Sequence, residues 1–338
     1  MKFFSSRSAC ALALLAGTVL LTQPALATKF AKAPTSANVQ KMNYEVYAGG
    51  INAVDSELNI SLLPGNKYEV AMFAATKGFL KVLAPWSGSF ETRGWEMKTH
   101  DQPELHQSIA TWRGKDEIKK YSYGKDGKFV GYSIKDDEND GSKKDVDPEL
   151  TQNTTDALTA VLAVMRQVGE GKACQGSSEV FDGDRRYKMT FVSQGNEDLK
   201  ATRYNVYEGP AEKCTVEVSP AGGKWHQKPR GWLSIQEQGR QHGQLPTVWF
   251  AKMEENGPAV PVKIMIKSDY GAMFVHLAGY TNGKDSFSAE VRGETKSERV
   301  GATRIGENVA TKKGGTDTDK PAKNADPVDR GTQAGANE

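Results

Sequence analysis

Residues 57–72, ELNISLLPGNKYEVAM, decide the fold class. Apolar side chains stand at every second position on both sides of a Pro-Gly-Asn turn: Leu58, Ile60, Leu62, Tyr68, Val70 and Met72. Successive side chains of a strand point to opposite faces, so a period of two is typical of a half-buried strand. The stretch predicts two antiparallel strands joined by a tight turn.

The same alternation recurs along the chain and is punctuated by turn signals. It returns in residues 186–191, 214–219 and 262–267. Asp126-Gly127 and Asp182-Gly183 are hairpin dipeptides, because both residues of a type I′ turn need positive φ. Many strands without alternating helices predict a mainly β fold and disfavour a doubly wound nucleotide-binding fold. We expect a large antiparallel curved sheet, roll or partly open barrel.

One principal α-helix is predicted near residues 156–168. Its apolar residues recur at helical spacing and make one stripe: Leu158, Val161, Leu162, Met165 and Val168. Thr155 or Asp156 can cap its start, and Gly169 can end it. A core helix that covers the sheet is the favoured interpretation over a helix built for a partner.

The N-terminus has the three parts of a secretory signal peptide, residues 1–27. Lys2 and Arg7 precede an apolar run over residues 11–21, and Ala25-Leu26-Ala27 is a small-x-small cleavage signal. We expect cleavage after Ala27 and a periplasmic location. The alternative is a retained membrane anchor, but the apolar run is shorter than the ~20 residues that an anchor needs.

Charge after cleavage argues against partners that recognise bulk electrostatics. The chain has 44 basic and 42 acidic residues, and removal of Lys2 and Arg7 leaves 42 of each. A net charge of zero disfavours nucleic acid and an anionic membrane surface as partners of the whole surface, although it leaves room for a local patch. The mature protein is not expected to be an integral membrane protein.

Composition divides the remaining chain into three parts. Residues 28–40 are predicted to be a flexible leader, and residues 41–294 a single β-rich domain. Residues 295–338 contain no aromatic side chain and are rich in Gly, Thr, Lys and Asp. Such a segment cannot bury enough apolar surface to offset its ordering entropy, so we predict a disordered tail.

Two cysteines remain after cleavage, Cys174 and Cys214. An even pair in an oxidising compartment is most simply a disulfide. A bridge here would enclose about 40 residues and stabilise the fold by about 4 kcal/mol in the chain-entropy model. Unpaired thiols, a redox pair and a metal site are the alternatives; the missing Cys-x-x-Cys spacing and matching His pair disfavour the last two.

No catalytic residue, cofactor or metal site is predicted. The five histidines make no metal-binding pattern, and nucleophile elbows, acylation motifs and phosphate loops are absent from the sequence. Residues 136–147 resemble a calcium loop, with acidic side chains at positions 1, 3, 5 and 12 and Gly at position 6. Lys at position 9 and Asp at position 12 depart from that pattern, so a solvated loop is favoured.

Six tryptophans stand out for a chain of this length: Trp86, Trp95, Trp112, Trp225, Trp232 and Trp249. Aromatic side chains form strands and pack β cores, and they also line ligand cavities. Core packing is the favoured interpretation. A concave sheet lined by some of them would be a natural site for an apolar ligand.

A family resemblance rests on the order of several short segments. These are Tyr44–Gly50, Asp156–Thr159, Cys174, Val180–Tyr187, Tyr207–Pro210, Cys214, Ser219–Gly223 and Pro261–Ile264. In this order, over roughly residues 41–280, the chain resembles an exported bacterial family known as domain of unknown function 3108. The resemblance implies export, a predominantly β architecture and no established activity.

The hairpin Val180–Tyr187 is the most distinctive of these segments. Arg185 and Arg186 should project to opposite faces of the sheet, and Tyr187 should begin the inward alternation. Arg185, Arg186 and Tyr187 are therefore the candidate ligand-binding residues, with one arginine directed at an anionic group. The alternative is a structural ion pair with Asp182 or Asp184.

Three functions remain open. The first is a non-enzymatic periplasmic protein that supports the cell envelope by binding envelope components. The second is a periplasmic carrier for a lipid or another apolar ligand on a concave, aromatic-lined sheet. The third is a hydrolase whose catalytic residues meet only in the folded chain, since catalytic triads are defined by geometry.

Overall fold

Residues 57–72 form a hairpin, as their alternation predicts. Strand β2 (Ile51–Leu63) pairs antiparallel with β3 (Lys67–Thr76), and Gly65 and Asn66 adopt positive φ in the turn. The computed structural model describes residues 39–226, 228, 231–269 and 271–288. These lie in one compact unit, Met1–Val300. The predicted signal peptide, the predicted tail and residues 28–38 of the predicted leader lie outside the described residues, whereas residues 39 and 40 belong to a strand.

The described residues contain fifteen strands. They are β1 (Val39–Ala48), β2, β3, β4 (Trp86–Glu96), β5 (Asp101–Trp112), β6 (Lys115–Tyr123), β7 (Phe129–Lys135), β8 (Asp140–Lys144), β9 (Gly176–Phe181), β10 (Arg185–Leu199), β11 (Gly209–Gly223), β12 (Thr247–Ala251), β13 (Val260–Ser268), β14 (Gly271–Thr281) and β15 (Ser286–Ser288). All of the strand pairs are antiparallel.

One sheet contains every one of these strands. Its order is β8 to β1 followed by β14 to β9, so the first and last long strands of the unit, β1 and β14, meet in the middle, and β15 pairs with β14. Strands β8 and β9 stand at the two edges and do not pair with each other, so the sheet is not closed. The predicted fold class, mainly β with a large antiparallel sheet, is confirmed.

Side chains bring the two edges of the sheet together. Phe181 at the end of β9 is fully buried, and its ring lies 5.5 Å from that of Tyr121 and 6.1 Å from that of Tyr132, across on β6 and β7. Lys119 Nζ lies 2.6 Å from Asp184 Oδ2. We call these contacts the seam. The sheet therefore curls into a barrel-like form whose last join is made by side chains.

The described residues also contain four helices: α1 (Gly78–Leu83), α2 (Pro148–Thr151), α3 (Ala157–Gly169) and α4 (Trp232–Gln241). Helix α3 is the predicted principal helix, and its apolar stripe packs on the inner face of the sheet, with Leu162 and Met165 buried. Helix α4 is not predicted from the sequence. No helix in the described ranges is both long and apolar enough to cross a bilayer.

The connections between strands define two ends of the barrel. We call the end with the β1–β2 turn at Gly49-Gly50 the upper end; the β3–β4 and β5–β6 connections also lie there. The opposite end is the lower end. Helix α3 finishes at the lower end, where Ala259 N donates to Met165 O and Arg166 pairs with Asp101 at 3.0 Å. The helix thus fills the lower part of the interior.

Candidate functional site

A cavity of about 410 Å³ occupies the interior not filled by α3. Its walls come from five strands or strand ends and from both long helices. The apolar lining includes Val161, Tyr187, Met189, Phe191, Val216, Val218, Trp225, Trp232, Leu233, Val248, Phe250 and Ile264. Its volume lies within the range of about 300–1,000 Å³ that is typical of sites for small molecules.

Strand alternation explains the apolar wall. In β10 the side chains at 187, 189 and 191 point into the cavity, and in β11 those at 216 and 218 do so. Val192, the next residue in β10, is 39% exposed on the outer face. The period of two that predicts the strands therefore also places their apolar side chains around one enclosed space.

Helix α4 exists where a strand is missing. Strand β12 has five residues and pairs with β11 only over residues 212–215, so the upper half of β11 lacks a strand neighbour on that side. The side chain of Gln236 takes the neighbour's place: its Oε1 accepts from Val218 N at 2.7 Å, and its Nε2 donates to Val218 O at 3.1 Å. An amide side chain carries one acceptor and donor groups like a peptide unit, so it can satisfy both. Helix α4 thereby closes the cavity on this side.

A charged group stands at the cavity wall. Arg185 Nε and Nη2 donate to Asp182 Oδ2 at 3.1 and 2.8 Å, and the guanidinium lies 4.7 Å from the centre of the Trp225 ring. Trp225 is held in turn by a hydrogen bond from Nε1 to Gly222 O at 2.7 Å. Stacking on an aromatic ring and pairing with a carboxylate both fix the orientation of a guanidinium. The site therefore combines an apolar interior with one oriented cation.

The three candidate ligand-binding residues have different environments. Arg185 and Tyr187 line the cavity, and burial raises the pKa of the Tyr187 phenol, with the Asp182 carboxylate adding to the shift. Arg186 points elsewhere: it pairs with Glu179 at 3.0 Å and donates to the carbonyl of Glu149 at 2.8 Å. Arg186 thus ties β9, β10 and α2 together. A ligand role for Arg185 and Tyr187 stays a prediction.

A buried Asp–His pair lies outside the cavity lining. Asp156 is fully buried, and its Oδ1 accepts from the backbone N–H of Leu158 and of Thr159 and from Thr92 Oγ1. His106 Nδ1 lies 3.4 Å from the same oxygen. Burial raises the pKa of Asp156, but the hydrogen bond and charge of His106 and the hydrogen bonds from Thr159 and Thr92 outweigh burial and lower it. Asp156 is the N-cap of α3, so the pair holds the helix in place.

Cys174 and Cys214 form a disulfide, as predicted. It links the chain just after α3 to β11, and both cysteines are buried. They are also the sulfur atoms of the one group of potential metal ligands found in the described ranges, completed by Glu212. Since both sulfurs are bonded to each other, this group is a structural cross-link.

The acidic segment 136–147 is spread over several elements. Asp136 Oδ1 accepts from Glu138 N and Asn139 N in the β7–β8 turn, Asp140 begins β8, and Asp147 Oδ1 accepts from Glu149 N as the N-cap of α2. These carboxylates are used in turns and a cap, and they do not converge on one point as calcium ligands do.

The tryptophans fall into three groups. Trp225 and Trp232 line the cavity. Trp249 is buried on the outer face of the sheet, with Lys263 Nζ 4.4 Å and Lys213 Nζ 5.3 Å from its ring centre. Trp112 is 49% exposed at the upper end. Core packing, the favoured prediction, therefore accounts for only part of the set.

A protein-family model described as "Protein of unknown function (DUF3108)" matches residues 43–278. The chain belongs to this family. The DUF3108 range contains every residue that lines the cavity and both cysteines of the disulfide. The family predicted from the sequence is confirmed.

Other comparisons add little. The curated proteins contain no match to this DUF3108 chain. A solved structure, described as a beta-barrel-like protein of domain of unknown function DUF1849 from Brucella abortus, matches 71% of this chain and 96% of its own. The two are 11% identical and superpose with a TM-score of 0.40.

Proposed function

We propose that this protein binds an apolar small molecule, such as a fatty acyl chain with an acidic group, and performs no catalysis on it. The observation that carries the proposal is the enclosed apolar cavity with one oriented guanidinium, Arg185, at its wall. Burial of apolar surface contributes about 25 cal/mol per Å², so an acyl chain that fills such a cavity would be held mainly by the hydrophobic effect.

Arg185 would recognise the polar end of the ligand. Its guanidinium uses Nε and Nη2 on Asp182, and a ligand carboxylate or phosphate can compete for the same hydrogen bonds. The Trp225 ring would keep the cation in position during that exchange. An uncharged end group would lose this contact and bind more weakly.

Among the three functions left open by the sequence, the carrier is thus our first choice. A protein that supports the envelope by binding other envelope components is the second, and both fit an exported protein. We propose a periplasmic location on the N-terminal pattern of residues 1–27, and the Cys174–Cys214 disulfide supports it because such bonds persist in oxidising compartments. N-terminal sequencing of the protein from a periplasmic extract should start at Thr28.

Native mass spectrometry of protein isolated from the periplasm tests the proposal first. We expect a discrete adduct that dissociates into an apolar molecule. A purified, delipidated sample should also bind dansyl-labelled undecanoic acid with increased fluorescence. A bare mass together with no dansyl signal would contradict the proposal and favour the protein-partner function.

Two substitutions in one hairpin make a matched test. Val216→Trp places a large side chain in the cavity and should weaken dansyl-undecanoate binding at least tenfold. Val192→Trp adds the same group to the outer face of β10 and should leave binding unchanged. Equal binding by both variants would place the ligand elsewhere.

A further inference from the structure

Apolar side chains are exposed together at the upper end of the barrel. The residues are Ile51 at 60% exposure, Phe79 at 67%, Val82 at 80%, Leu83 at 55% and Trp112 at 49%. They account for five of the eight large apolar side chains that are exposed in the described ranges. We call these five residues the apolar rim.

Backbone hydrogen bonds join the rim residues into one patch. Lys77 N donates to Ala53 O at 2.9 Å, which sets the start of α1 beside the beginning of β2. Arg113 N donates to Pro85 O at 3.0 Å, which sets the β5–β6 turn beside the segment that follows α1. Helix α1 therefore lies between the two turns that carry Ile51 and Trp112.

Helix α1 contributes no buried residue to the fold. It has six residues, Gly78–Leu83, and each is at least partly accessible. Isolated helices of this length are marginal in water, and a helix normally forms because it packs an apolar face. The apolar side chains of α1 have no such role within the described unit.

Charge indicates what the rim contacts. Lys81 within α1 and Arg113 beside Trp112 make no ion pair with any described residue, and residues 77–86 contain no acidic side chain. The Arg113 guanidinium lies 5.6 Å from the Trp112 ring centre. Aromatic and aliphatic side chains flanked by Lys and Arg are the composition of segments that enter the interface of an anionic bilayer.

We propose that the apolar rim docks on an anionic lipid bilayer, with Phe79, Val82, Leu83 and Trp112 entering the interface and Lys81 and Arg113 meeting lipid phosphates. The rim is local, so it agrees with a mature chain of zero net charge. The proposal does not depend on a ligand in the cavity. It requires only that the upper end faces the membrane.

Vesicle co-sedimentation with the full chain, in the form in which the producing cell holds it, tests the proposal. We expect binding to vesicles of phosphatidylglycerol and phosphatidylethanolamine, and at least tenfold weaker binding to phosphatidylcholine alone. Phe79→Ser with Val82→Ser should weaken binding on the order of tenfold or more, given the apolar surface that each side chain buries. Lys81→Gln with Arg113→Gln should weaken binding to the anionic vesicles by roughly tenfold or more.

Val82 and Val130 make the matched control. Val130 is 56% exposed in β7, at the lower end, so Val130→Ser removes an equally exposed valine outside the rim. Val130→Ser should bind vesicles like the parent, and all variants should keep the parental melting temperature because these side chains are exposed. Equal binding of all variants would overturn the proposal. So would a concentration-dependent dimer abolished by Val82→Ser, which would assign the rim to a second copy of the chain.

Discussion

Asp101 is the residue whose ionisation should set the pH dependence of stability. It pairs with Arg166 at the lower end, yet its side chain is only 4% exposed, and burial raises its pKa from 3.8 to about 6 despite the nearby arginine. Between these two pH values the folded state binds more protons than the unfolded state. The free energy of unfolding therefore falls as pH rises through this window, by about 2–3 kcal/mol from this residue.

Asp101→Asn removes that titration. Relative to the parent, the variant should gain about 2–3 kcal/mol between pH 4 and pH 7, whatever the constant cost of weakening the pair with Arg166. Urea unfolding of both proteins at several pH values measures the difference. Glu96→Gln changes the half-exposed partner of the same arginine and should shift stability by no more than about 1 kcal/mol. Parallel pH profiles for parent and Asp101→Asn would contradict the prediction.

Among the elements, α3 depends most on its cap. Asp156 accepts hydrogen bonds from the helix start and from β4, and it pairs with His106 of β5, so one side chain positions the helix on two strands. Asp156→Ala should cost about 3–5 kcal/mol, because it leaves buried polar partners without an acceptor. Thermal or urea unfolding measures the loss.

Helix α2 supplies the comparison at the same scale. Asp147 caps α2 through Glu149 N, but it is exposed at the surface and has no buried partner. Asp147→Ala should cost only about 0.5–2 kcal/mol, as for an ordinary N-cap. Similar losses in the two variants would mean that the buried contacts of Asp156 contribute little.

The whole molecule relies on the seam to complete the barrel. Phe181 packs on the aromatic residues of β6 and β7 without any strand pairing between the two sheet edges. Phe181→Ala should therefore cost about 3–5 kcal/mol. It should also increase hydrogen exchange most in β6, β7 and β9, because these strands would separate first.

Lys119→Ala tests the polar part of the same seam. The ion pair with Asp184 is half open to solvent on the aspartate side, so its loss should cost about 1 kcal/mol or less. A larger effect for Lys119→Ala than for Phe181→Ala would show that charge, and not aromatic packing, joins the edges.

The sequence by itself determined the strands, the principal helix and the disulfide pair. Leu58, Ile60 and Leu62 reveal β2 because side-chain alternation follows from the geometry of a single strand. The cap of α3 at Asp156 is likewise a relation between residues two or three positions apart. Such signals are local, and any neighbourhood of the chain displays them.

Only the tertiary structure decided where the cavity, the seam and the apolar rim lie. Helix α4 closes the cavity because β12 has five residues and Gln236 replaces its missing pairing with Val218, a relation that no period in the sequence expresses. Trp225 and Trp249 have the same residue type, but one lines the cavity and the other packs outside the sheet. The physical reason is that alternation states which side chains share a face, whereas the space they enclose depends on contacts between residues far apart in the chain.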